Sequence, residues 1–116
     1  MPTLNKKAIA EGRRLLEVNL PTPTKNKISV ESALTEKHNG RTIDNLIIKA
    51  NELGFEKFFA EQFVNHESTY LETTISGESS NFFTSMREQH GTHAIRHKVI
   101  TSLVNFVEMN EGLSHA

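Results

Sequence analysis

The stretch from Ile95 to Val107 constrains the fold of this 116-residue chain more than any other. Ile95, Val99, Leu103 and Phe106 lie along one line of a helix. Ile100, Val104 and Val107 flank that line, so apolar side chains occupy about half of the helical circumference. A helix this broadly apolar cannot stand on the surface. Either the rest of the chain wraps it, or it forms half of an interface between two copies. Thr92 is placed to cap it, and it runs to about Met109.

The segments that could do the wrapping also read as helices. Thr42 precedes Ile43, Leu46, Ile47, Ala50 and Leu53, an apolar repeat at three and four that Gly54 closes. Phe55, Phe58, Phe59 and Phe63 follow, four of the seven phenylalanines, and mark the expected centre of the core. Phe82, Phe83 and Met86 face inward on a helix that starts in the turn Gly77-Glu78-Ser79-Ser80 and stops at Gly91. Ser29 caps a short helix with Val30, Ala33 and Leu34 inward, and His38-Asn39-Gly40 ends it.

At the N-terminus, Thr3 caps a helix running to about Asn19. Leu4, Ala8, Leu15 and Val18 share one face, and Ile9, Leu16 and Leu20 share the opposite one. Two apolar faces imply two partners: either both belong to its own domain, or one is a second subunit. Leu20 to Lys27, with two prolines within three residues, reads as an extended, solvated link. Residues 67–77 are ambiguous. Leu71, Thr73 and Ile75 alternate as in a strand, but no other segment offers a clear partner and a lone strand is not stable. A short helix or irregular segment is therefore expected there.

The expected architecture is all-α: a small bundle of five to six helices. It comprises an N-terminal basic amphipathic helix over 1–19, an extended Pro/Thr linker over 20–28, a helical body over 29–109 and a flexible tail over 110–116. Homodimerisation is expected from the two-faced first helix and the broad apolar arc of the last. No internal sequence repeat is evident.

Composition narrows the chemistry. The chain has no cysteine, which removes thiolate nucleophiles and cysteine zinc sites. No apolar run approaches the roughly 18 residues of a membrane span, and charges interrupt any export-signal core, so a cytoplasmic protein is expected. The net charge of −1 conceals an asymmetry. Residues 1–50 carry nine Lys and Arg against five Asp and Glu, and residues 51–116 carry four against nine. No glycine-rich phosphate loop is present, and no cofactor is expected.

Candidate site residues concentrate in QHGTHAIRHK, Gln89 to Lys98, which holds three of the six histidines. His90, His93 and His97 have a spacing that suits metal chelation on a helix. Arg96 and Lys98 in the same stretch would repel a cation, so an anion is the better guest and no metal is expected. Arg87 and His93, separated by five residues and just ahead of a long final helix, offer a proton shuttle and a phosphate clamp. This arrangement resembles the motif of the HEPN ribonucleases. The resemblance implies metal-independent attack on RNA at a site shared by two subunits, with Arg87 and His93 as its residues. The position after the arginine, which in that family is a polar Asn, Asp or His, is here Glu88. Ala50 to Phe55 resembles a helix-turn-helix corner, yet the segment after it, EKFFAEQF, is too acidic and apolar to track phosphates.

The reading that follows is a small non-enzymatic regulatory or adaptor protein acting on a macromolecular partner. Its binding surface would combine Lys6, Lys7, Arg13, Arg14, Lys25 and Lys27 with Arg87, Arg96, His97 and Lys98. The alternatives are a nucleic-acid-binding regulator using the first six of these, and the Arg87–His93 ribonuclease.

Overall fold

A computed structural model of the chain describes residues 12–55, 67–91 and 94–110. Its elements are strand β1 (Arg14–Pro21), helix α1 (Thr22–Thr35), helix α2 (Asn39–Glu52), strand β2 (Ser68–Ile75), helix α3 (Gly77–His90) and helix α4 (Arg96–Asn110). Among the described residues there are thus four helices and a two-stranded antiparallel sheet. The fold is α+β, which corrects the expected all-α bundle. The order strand–helix–helix occurs twice, and the two units pair through their strands.

The first correction falls on the N-terminal helix, whose last six residues belong to β1. In RLLEVNLP the inward residues are Leu16, Val18 and Leu20, while Glu17 and Asn19 are exposed, a period of two. Wound onto a helix, such a stripe splits between opposite faces. That split is what produced the two-faced helix and its supposed second subunit. Residues 1–11 lie outside the described residues, so the earlier part of that helix does too.

The second correction concerns 67–77. β2 pairs with β1 from Arg14↔Ile75 to Pro21↔Ser68. The partner that Leu71, Thr73 and Ile75 lacked was the segment read as helix. The third concerns the linker. α1 begins at Thr22, with Pro21 as its N-cap residue and Pro23 in its first turn. The first-turn amides have no intrahelical acceptor, so proline costs nothing there. Thr22 anchors the helix start to the end of the sheet: its N–H donates to the Glu67 carbonyl at 2.7 Å, and its hydroxyl lies 2.7 Å from that of Thr69.

With α1 starting seven residues before Ser29, its inward face changes. Thr24, Ile28 and Ser32 are buried, while Val30, Ala33 and Leu34 are exposed. The helix ends at Glu36, whose left-handed conformation (φ 56°) lets the Lys37 N–H reach the Ser32 carbonyl at 3.0 Å. His38-Asn39-Gly40 opens α2 and does not close α1. Thr42 is a helical residue whose hydroxyl lies 2.7 Å from that of Ser32.

His38 caps α2, its Nδ1 accepting the Gly40 N–H at 3.1 Å, so that nitrogen must be unprotonated. Burial, then the nearby Arg13 and Arg41, hold the imidazole below its ordinary value, with Asp44 pulling weakly the other way. Burial, then Lys98, acts in the same direction on His97. As pH falls through the ordinary histidine range, the unfolded chain takes up protons that the folded chain refuses. Stability is therefore complete above that range and declines below it. The urea midpoint is expected to drop between about pH 7.5 and about pH 5.5. His38→Asn, which keeps a capping acceptor without the titration, should flatten part of that drop; an unchanged drop would show that His38 does not contribute.

The helix over 42–53 appears as α2, with Ile43, Leu46, Ile47 and Ala50 buried and Gly54 at φ +84° behind it. α3 starts one cap earlier than the expected turn: the Ser76 hydroxyl accepts the Ser79 N–H at 3.0 Å. Phe83 and Met86 are buried, and Gly91 ends the helix. The apolar arc of α4 is consumed within the chain. Val99, Ile100, Leu103, Val104 and Val107 have no exposed surface, and the helix packs against α2, β1 and α1. At about 2 kcal/mol for each such side chain, this burial dominates the core. Phe55 closes its end, with its ring centroid 5.6 Å from that of Phe106 and 6.2 Å from that of Phe82. Phe58, Phe59 and Phe63 lie outside the described residues.

Candidate functional site

The exposed face of the sheet, the side of β1 away from β2 and the junction of α3 and α4 enclose an open groove of about 980 Å³. β1 contributes Glu17, Val18, Asn19 and Pro21, and β2 contributes Ser68 and Tyr70. The helical wall is built from Phe83, Thr84, Arg87 and Glu88 of α3 and from Ala94 to His97 at the start of α4. Val18, Phe83 and Ala94 are nearly fully buried and form an apolar floor. Tyr70, Arg87, Arg96 and the two glutamates stand at the exposed rim.

Each wall has its own electrostatic character. On the sheet side, Glu17 lies directly opposite Glu72 in the ladder, a like-charge pairing that costs stability on an open face. The Tyr70 phenol lies diagonal to Glu17 and feels its carboxylate. Desolvation first, then Glu17 and Glu72, push the phenol's pKa up, so it stays a donor. On the helical side, Arg87 and Arg96 bring permanent positive charge, with Glu88 beside them. His97 is partly buried, and its lowered pKa keeps the ring neutral near pH 7. The groove therefore offers an apolar floor, a hydrogen-bonding ring and walls of opposite dominant sign.

Of the candidate residues, Arg87, Arg96 and His97 come together here. Arg96 is the first residue of α4 and is exposed at the rim, despite falling on the apolar arc of the sequence. Lys98 is partly buried next to them on α4. His90 is the last residue of α3 and is partly buried outside the groove lining. His93, Lys6 and Lys7 lie outside the described residues. Among the described residues no three His, Cys, Asp or Glu side chains gather to hold a metal ion.

The basic N-terminal set is dispersed. Arg13 is buried: its guanidinium pairs with Asp44 at 3.0 Å and donates to the Thr74 hydroxyl at 3.1 Å and carbonyl at 2.7 Å. Asp44 in turn accepts from the Ser76 N–H at 3.0 Å and the Ser79 hydroxyl at 2.6 Å. This network joins the start of β1, α2, the end of β2 and the start of α3, so Arg13 faces the interior and not a partner. Lys27 pairs with Glu108 of α4 at 2.6 Å. Lys25 is partly buried on α1, and Arg14 is exposed, donating to the Gly12 carbonyl at 3.3 Å.

Glu17, Tyr70 and Thr84 were not among the sequence candidates. The available signal was the alternation in RLLEVNLP and STYLETTI, which sets Glu17 and Tyr70 on one outer face once the two segments pair. Comparison of the chain with protein-family models, with curated proteins and with solved structures finds no match.

Proposed function

We propose that this protein is a small non-enzymatic regulatory or adaptor protein that binds a protein partner in the groove between β1 and the α3–α4 junction. One observation carries the reading: Arg87, Arg96 and His97, on two different helices, turn into one open groove with an apolar floor. An apolar floor ringed by arginine, tyrosine and a few acids has the composition of a protein-recognition surface.

The nucleic-acid reading has less support. It needed six basic residues on one surface, and of these Arg13 is interior and Lys27 is paired. Glu17 and Glu88 in the groove would repel a phosphate backbone. Leu16, Val18 and Leu20 and the arc of α4 are buried within the chain and so lend the expected homodimer no support, and the reading takes a different protein as the partner. A cytoplasmic setting belongs to the same proposal, supported by a chain without cysteine. Among the described residues no helix is long and apolar enough to cross a membrane.

The test is in-cell photo-cross-linking from Thr84 on the groove wall, with Asn51 on the exposed face of α2 as the control position. A discrete, nuclease-resistant protein adduct is expected from Thr84 alone. It should fall at least tenfold when Arg87→Glu and Arg96→Glu are combined, as expected for reversing charges at an interface, with the circular dichroism spectrum unchanged. Adducts that are sensitive to ribonuclease, or that survive the charge reversal, would overturn the reading.

A further inference from the structure

The groove touches Glu17, Val18 and Asn19 in succession. Successive residues of a strand point to opposite faces of the sheet, and here they do: Val18 is buried while Glu17 and Asn19 are exposed. A cavity bordered by both orientations, and by the α3–α4 junction, wraps the edge of the strand, and Pro21, Ser68 and Tyr70 carry it over the outer face as well. Among the described residues β1 has β2 as its one strand partner, so its other edge, with outward backbone N–H and C=O groups, borders the groove. Such an edge is a template for a further strand.

We infer that the groove takes an extended, carboxylate-bearing segment of the partner, which adds to β1 as a third strand. This rests on the protein-binding function proposed above and specifies its mode. From Glu17 to Pro21 the groove offers about 15 Å of edge at roughly 3.3 Å per residue, enough for a five-residue segment. Alternate side chains of that segment descend to the floor of Val18, Phe83 and Ala94. The walls select its charge. Arg87 and Arg96 face the docked strand from the helical side and pair with a carboxylate. Glu17 and Glu72 make the sheet side repulsive to the same group, which fixes orientation and register. The opposed glutamates, a cost to the isolated sheet, gain a role in excluding the wrong register.

The probe is a random octapeptide library displayed on phage and selected against the full chain, with the best peptide then synthesised. Selected peptides are expected to carry Asp, Glu or a free C-terminus. N-methylation of the peptide backbone should weaken binding tenfold or more at alternate residues and little at those between. Alternate amides along β1 should slow in hydrogen exchange when the peptide binds, and the Arg87→Glu, Arg96→Glu variant should lose the peptide. Uniform tolerance of N-methylation would overturn strand addition while leaving the protein-binding function standing. Retained binding by the charge-reversed variant would overturn the carboxylate assignment. Failure to select any peptide would overturn the inference as a whole, and the Thr84 cross-link decides the parent reading independently.

Discussion

Asp44→Ala is expected to destabilise the protein by about 3–5 kcal/mol, the usual consequence of stripping one partner from a buried ion pair. Against a total stability on the order of 5–15 kcal/mol, that is a large fraction. The melting temperature should fall by well over 10 °C, since about 1 kcal/mol shifts a domain of this size by several degrees. The size of the effect comes from what remains. Arg13 is 7% exposed and would keep its charge in the interior with only the Thr74 oxygens as acceptors. The Ser76 amide and the Ser79 hydroxyl would lose their acceptor as well. Because the network ties the start of β1 to α2 and to the start of α3, the loss is not confined to one element. The partner variant separates charge from packing. Replacing Arg13 and Asp44 together by methionine and leucine removes both charges and fills the space, and should be less destabilising than Asp44→Ala alone. Urea denaturation of the three proteins decides this. A double variant at least as unstable as the single one would show that the network contributes through its hydrogen bonds and not through charge compensation.

The second large effect is expected at Gly40. Gly→Ala inside an exposed helix ordinarily stabilises by about 0.5–1 kcal/mol, because glycine gives up more backbone freedom on folding. At Gly40 the sign reverses. A Cβ there would collide with the Thr74 carbonyl oxygen and lie 2.9 Å from the Thr73 hydroxyl. Both belong to β2, and the backbone carbonyl cannot step aside without disturbing the pairing with β1. The Gly40 N–H also donates to the Thr73 hydroxyl at 3.0 Å, so the first turn of α2 is docked on the strand through this residue. Gly40→Ala is expected to cost at least 2–3 kcal/mol by overpacking. Asn51→Ala, on the exposed face of the same helix, should be neutral or slightly stabilising. Equal effects at the two positions in chemical denaturation would refute the close approach.

Gly40 and Arg13 take their roles from contacts distant in sequence. In sequence Gly40 reads as a helix end, whereas in the fold it stands in the first turn of α2. Its reason for being glycine is a contact with Thr74, which no local pattern encodes. Arg13 was placed on a basic surface because its charge is visible in the sequence, whereas its partner Asp44 lies 31 positions away and its partner Thr74 lies 61. Arg87, Arg96 and His97 are neighbours in sequence and line one groove. Glu17 and Tyr70 joined them only when β1 and β2 paired.

The sequence by itself determined α2, α3 and α4. Their apolar periodicity, their stop glycines at 54 and 91 and the broad apolar arc of α4 are local properties, because a helix satisfies its own backbone within four residues. A strand satisfies its backbone only on another chain segment. The alternation in RLLEVNLP and STYLETTI was therefore compatible with more than one reading until tertiary structure brought the two together. That pairing turned the supposed first helix into β1, moved the start of α1 back to Thr22, drew Arg13 into the interior and opened the groove along an edge that only a sheet can have.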